Sequence, residues 1–460
     1  MRKRFRAWMP VVLVVVFVTV AAAAAGTAGD SDPPRARFLS PHGQDVETFA
    51  LAGNPRGDAA VAWLEFTRRG HTRVWLRDRR HGHPFGLPAV LTSSHFSSVS
   101  PAVALGEDGS EVVAWIERRH GHQRLIAIAR HRYGQFGKAK VLSAGVDPDA
   151  GLALAVAPDG TALAAWAKGP RRGLQQLHAA VRRADGRWSH SHTVTHGKWS
   201  VTSPRAAFDG AGEATLTWER QSPEGPYVDD LGTGPVAISQ VGVAVRPAGG
   251  PFGRPHVVSK RTQDANEPVL AENARGDAVV AWDSFSHPFA FRVGYATRRA
   301  GQKFGRARWL TAKGGFAALP HPAVDAAGRV TVGWTQAGRR HGRPCDGCVA
   351  VRTARGSAGG ALSHPRRVSG TRTLLQALAA KPSGAALLVW HVEPRRSITR
   401  ERIEGRFVMA DGTLGTRHRL SRTGQHSEVQ ALLPANGDGL VAWLAERPAG
   451  SRITFVHAHE

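Results

Sequence analysis

Cysteine is almost absent. Cys345 and Cys348, in the run CDGC, are the only two in 460 residues. A thioredoxin-like redox pair would need a βαβ context, which is missing. A zinc site would need two more ligands, and only His341 is close. In an exported chain the pair therefore reads as a disulfide closing a very small loop that pins a hairpin tip. Long apolar runs are equally scarce. One spans Val11 to Ala25 and no second follows, so the rest of the chain reads as soluble and exported. Acidic residues are in deficit, 36 against 61 lysines and arginines, a net charge of +25. The 3.6-residue periodicity of a helical repeat is missing too. The histidine pairs His81/His83, His120/His122 and His190/His192 have no acidic or cysteine partner at a ligand spacing, so they read as surface loop residues.

Residues 1–28 have the layout of a secretory signal: four cationic residues, the apolar run, then small residues. No cysteine follows the run, which argues against a lipid anchor. The alternative is an uncleaved anchor, the one expected route to a membrane. Removing Arg2, Lys3, Arg4 and Arg6 leaves 57 basic residues against 36 acidic, a charge of +21. Such a field favours anionic partners and says nothing about fold. Residues 29–34 form a polar linker.

From 35 to 460 a short pattern recurs eight times, with a glycine six residues before a tryptophan: GDAAVAW at 57–63, for example, and GDAVVAW at 276–282. The tryptophans are Trp63, Trp115, Trp166, Trp218, Trp282, Trp334, Trp390 and Trp443, at steps of 52, 51, 52, 64, 52, 56 and 53 residues. Units of this size cannot each bury a core, so they form an array or a propeller. Each holds an alanine-rich apolar strand, an Asp-Gly-type turn, the tryptophan strand, an alternating third strand and a fourth ending in an apolar residue plus serine or threonine. Four antiparallel strands per unit predict a propeller blade. The last repeat has only three strands, while 35–41 is an orphan fourth strand. The expected fold is an all-β, eight-bladed β-propeller, its last blade closed by the N-terminal strand. Seven blades is the alternative, should one repeat be a loop. Phe85, Phe136, Trp188, Phe252, Phe304, Leu362 and Leu414, each in a third turn, are expected to fill the contacts between blades. Arg56-Gly57-Asp58 and Arg275-Gly276-Asp277 fall in the hairpin turns and read as turn chemistry.

These repeats resemble those of secreted bacterial propellers, of the TolB type and the sialidase-like group. The resemblance implies fold far more than activity. The sialidase Asp-box is missing, with only Asp185-Gly186-Arg187-Trp188 coming close, and the chain has just three tyrosines, Tyr133, Tyr227 and Tyr295. No catalytic residue is carried over.

By analogy with that layout, ligands meet the face formed by the second-to-third-strand loops and the links between blades. Glu65, Glu117, Glu219 and Asp283 follow their tryptophans and are expected to rim it. The long loop from Gln221 to Pro235 adds Glu224, Tyr227, Asp229 and Asp230. Trp199 lies in a link, placed to stack on a sugar ring or to pack. Third strands end in arginine, at Arg80, Arg130, Arg183, Arg246 and Arg299, on the opposite face. They form either a basic ring for anionic polymer or local pairs with acids such as Asp108 and Asp159. The expected function is a secreted, monomeric, non-enzymatic binding module for glycans or anionic cell-envelope polymer, without cofactor, metal or specific nucleic acid. The alternatives are a glycoside hydrolase or lyase on the same scaffold, or an envelope scaffold for protein partners.

Overall fold

In the computed structural model, residues 33–460 are described except 94–95, 120, 171–172, 223–226, 229–234, 237, 261–263, 287–289, 313–314, 341–342, 395–399 and 449. The signal segment and His341 lie outside the described residues. Eight four-stranded antiparallel sheets form a ring, an eight-bladed β-propeller with no helix among the described residues. Blade 1 is typical: Asp45–Gly53 innermost, then Ala59–Phe66, Thr72–Arg79 and, outermost, Ala89–Val90. Blade 8 comprises His426–Leu432, Gly439–Ala445 and Arg452–Ala458, and its fourth strand is Arg37–Phe38. Arg37 pairs with Phe455 and Phe38 with Thr454, so the two ends of the chain close the ring.

The core is divided into eight clusters, one at each blade interface. Each takes one repeat tryptophan from the following blade: Trp63 packs on Leu440, Ala442 and Phe455 of blade 8, and Trp115 on Ala62 and Leu76 of blade 1. All eight tryptophans are at most 2 % exposed. Alternation along the strand explains this arrangement. The tryptophan points to the preceding blade, and its small neighbours point to the next. The residues expected in the third turns join these clusters, Phe85 meeting the Phe455 ring edge-on at 5.7 Å. Opposite Trp218 and Trp282 stand Gly242 and Gly294, where a Cβ would come within 2.5 and 2.4 Å of the indole.

The recurring apolar-then-hydroxyl pair has a specific task. In seven blades the apolar residue donates its amide to a third-strand carbonyl, and the hydroxyl oxygen accepts that same third-strand residue's amide. Leu91 and Thr92 do this to Val74, Leu310 and Thr311 to Val293, and Leu39 and Ser40 to Ile453. The side chain replaces the next ladder carbonyl, so the outer strand ends there, two residues long in six of these blades and six in Leu414–Arg419. Short outer strands leave little edge for association. The Asp residues of the two Arg-Gly-Asp runs tie turns together: Asp58 accepts from the His81 amide, and Asp277 from the Ala300 amide.

Cys345 and Cys348 are joined in a disulfide. They sit in blade 6 on the longest hairpin, Arg329–Arg340 and Arg343–Ser357. The ladder pairs Gln336 with Ala350 and Gly338 with Cys345, so 346–349 bulge from the returning strand a few residues below the tip. The bond clamps that bulge against Gly338, where a Cβ would lie 2.9 Å from the Cys348 Cβ.

Candidate ligand-binding site

The propeller offers two faces and a central channel. The upper face carries the second-to-third-strand loops and the links between blades, and the lower face carries the glycine turns.

On the upper face the expected carboxylates are placed as anticipated, but each has structural partners. Glu65 is directly across from Arg73, 2.7 Å away, and also accepts the Trp75 indole N–H at 2.6 Å. Glu117 stands across from Arg124 and pairs with it. Glu219 accepts the Ser239 hydroxyl at 2.9 Å and the Glu267 amide at 3.0 Å. Asp283 accepts the Leu319 amide at 3.1 Å. Trp199 lies under the Arg220 guanidinium, 4.1 Å from it. Glu224, Asp229 and Asp230 lie outside the described residues. The backbone of Tyr227–Val228 pairs with Pro235–Val236 as a small hairpin.

Glu219 and Asp283 reveal a feature that spacing did not. Seven innermost strands bulge near their upper ends. At five of these bulges a non-glycine residue adopts positive φ: Ser100, Ser203, Glu267, Leu319 and Glu428. That backbone conformation is uncommon and costs energy. The residue just after the tryptophan of the preceding blade catches the bulge amide: Glu219 holds Glu267, Asp283 holds Leu319, and Thr335 holds Leu375. Beside these bulges the alanine-lined channel carries Arg205 and His321. Arg205 has exposed surface, but the channel walls surround it. Burial holds its guanidinium below the ordinary range, with Glu267 partly restoring it. Burial pushes His321 down to about 4 and Asp283 up to about 7. The signal available in sequence was a charged residue after proline in an otherwise small, apolar strand: Pro204-Arg205 and Pro320-His321.

On the lower face the third strands end one residue earlier than expected in three blades. The equivalent arginines are Arg79, Arg130, Arg182, Arg246 and Arg298, each opposite the first residue of its second strand. Their surroundings differ. Arg130 pairs with Asp78 of the preceding blade and with Glu111. Arg298 pairs with Glu213 of the preceding blade and with Glu272. Arg79 stacks over Phe85. Asp108 and Asp159, the other expected partners, hold the turn residues Ser110 and Thr161.

Two clefts open at equivalent places on this face. One, of about 400 Å³, lies between blades 3 and 4 and is lined by Arg183, His190, His192 and Arg246. The other, of about 610 Å³, lies between blades 6 and 7 and is lined by Arg329, Arg355, Arg366 and Asp411. In the second, Arg355 donates to the Met409 carbonyl, Arg366 to the Gly412 carbonyl, and Arg329 to Asp325. A third cavity, of about 470 Å³, is the lower end of the channel, ringed by the glycine turns and walled by Leu105, Val156, Phe208, Val324 and Leu432.

No protein-family model matches the chain, and no curated protein matches it. Among solved structures it is similar to an ulvan lyase described as a new family of polysaccharide lyase, with TM-score 0.50, 10% identity, and 91% of this chain and 94% of that one covered. It is also similar to the BP39L lectin from Burkholderia pseudomallei, with TM-score 0.49, 14% identity, and 81% and 98% covered. A third is the β-propeller domain of the Trilobed protease from Pyrococcus furiosus, with TM-score 0.44, 6% identity, and 85% and 100% covered. At these identities the likeness is one of fold: the chain is a β-propeller.

Proposed function

We propose that this chain is an exported, non-catalytic propeller that binds glycans or anionic cell-envelope polymer. The observation that carries the reading is the lower face, where equivalent arginine-lined clefts open between blades 3 and 4 and between blades 6 and 7. Repeated clefts on one rigid ring suit a polymer, because a second contact on the same chain becomes intramolecular and raises avidity. The excess of positive charge steers anionic chains toward the protein. A lectin and an ulvan lyase share the ring, and a shared fold leaves the function to the site.

A panel of glycans and cell-wall polymers, offered to the protein at low and high salt, tests this. Preference among polymers of equal charge density, retained in part at high salt, is the expected result. Retention of every acidic polymer in proportion to charge, lost in salt, would reduce the interaction to the protein's field. No retention at either salt would turn attention to protein partners.

A second reading, cleavage of a polysaccharide at the upper mouth of the channel, draws on one observation. Asp283, pushed up to about 7 by burial, lies near Glu267, and Glu267 in turn acts on Arg205. A carboxyl poised near neutral pH is what acid–base chemistry needs. Release of new reducing ends from a polysaccharide panel, abolished in Asp283→Asn, would favour it over simple binding.

A further inference from the structure

The arginine ring supplies its own internal comparison. Carboxylates at four positions satisfy Arg130 and Arg298: Asp78 and Glu213 from the preceding blades, Glu111 and Glu272 from their own. The equivalent four positions around Arg246 are Val181 and Thr161 in blade 3, and Ala214 and Phe208 in blade 4. Every acid has been replaced by an uncharged residue. Among the described residues the Arg246 side chain makes no hydrogen bond, ion pair or aromatic contact, although the residue is half-buried. Burial alone lowers its guanidinium from the ordinary range, and burial, then Arg246, depresses His192. Arg183, an exposed residue, lines the same cleft from blade 3, and its side chain has no protein partner among the described residues. Asp159 stands on the rim, with both its oxygens engaged by Thr161.

Neither Arg246 nor Arg183 has a buried unpaired nitrogen, so both guanidiniums face water that an anionic acceptor can displace, and their like charges repel across the cleft. In the matching cleft between blades 6 and 7 the arginines already donate to Asp325 and to backbone carbonyls, which makes it the weaker of the two contacts. Between blades 3 and 4 the donors have been left for something from outside. Two guanidiniums lining one cleft of about 400 Å³, with His190 and His192 beside them, suit the oxygens of a tetrahedral oxyanion.

We propose that the cleft between blades 3 and 4 is a binding site for one sulfate- or phosphate-type group, held by Arg246 and Arg183. The proposal deepens the reading of an anionic-glycan binder by naming the group recognised. It is tested apart from that reading, because the free ion is the probe.

Sodium sulfate and sodium phosphate are titrated calorimetrically into the full-length protein at constant ionic strength set with sodium chloride. A sulfated and a phosphorylated oligosaccharide follow, to distinguish the two sources of the group. One saturable site is expected. Arg246→Gln and Arg183→Gln should each weaken binding about tenfold. Arg306→Gln, which removes the same charge from an exposed turn elsewhere, should change it less than about twofold. Thr161→Glu, at a partly exposed position, restores the carboxylate that Glu213 supplies at the corresponding place in blade 4 and should abolish binding while keeping the thermal midpoint. It carries the test if Arg246→Gln fails to fold. No saturable binding of either ion, or equal weakening by Arg306→Gln and Arg246→Gln, overturns the proposal. Ion binding at Arg246 with no glycan bound would leave this site standing and remove the broader reading.

Discussion

At the scale of single residues, side chains that look free in sequence are braces. Asp283 shows it best. It was expected on the rim as a candidate ligand-binding acid, and it holds the amide of a strained residue in the next blade. Burial raises its carboxyl to about 7, against 3.8 for the ordinary group. The folded chain therefore keeps this proton to higher pH than the unfolded chain. Stability linked to it is full below about pH 4 and is lost as pH rises towards 7. Asp283→Asn keeps an oxygen for the Leu319 amide without the charge. The variant should exceed the parent at pH 8 by about 1–2 kcal/mol, after allowance for channel water, and match it near pH 4. Urea unfolding at both pH values measures this, and a pH-independent difference would refute the assignment. Thr311 makes the complementary point. Thr311→Val removes the acceptor of the buried Val293 amide and should cost about 1–2 kcal/mol, read as a shift of the urea midpoint without a change of slope.

At the scale of elements, the hairpin of blade 6 extends well beyond its counterparts and carries the disulfide. The expectation of a pinned tip holds in its chemistry and shifts in its place, because the bond closes a bulge below the tip. Spacing shows that two cysteines can meet, whereas only the ladder register shows which backbone they clamp. So small a closed loop removes little chain entropy, about 2 kcal/mol at most. Reduction should lower the global midpoint by no more than about 2–4 °C while exposing the hairpin to protease. Limited proteolysis with and without reductant reads the local effect, and a large fall in the midpoint would mean that the hairpin supports the ring.

At the scale of the whole molecule, one two-stranded contact closes a ring of eight sheets. Arg37 and Phe38 pair with the last long strand, and Leu39 enters the core shared by blades 8 and 1. A chain beginning at Gln44 would lose all three contacts and bare the edge of Arg452–Ala458. Its thermal midpoint should fall sharply, and gel filtration should show association through that edge. Adding a peptide of residues 33–43 should reverse both. A truncated chain as stable and monomeric as the parent would show that the ring does not depend on this closure.

The number of blades, the order of strands within them and the closing partner were all legible in the sequence. They follow from local rules that repeat: Asp-Gly turns, strand alternation, and a tryptophan needing small neighbours. The site was legible only in part. Glu65, Glu117, Glu219 and Asp283 follow their tryptophans at the ends of the second strands, but their partners lie across strands or in the next blade, which spacing along one chain does not encode. Arg246 reads in sequence like Arg130 or Arg298. Only the packing of blade 3 against blade 4 sets Val181 and Thr161 where the interfaces of Arg130 and Arg298 place Asp78 and Glu213. The pattern of residues within a repeat determined the architecture, because each blade obeys the same short-range physics. The tertiary structure decided which charges are satisfied, because that depends on how neighbouring blades meet.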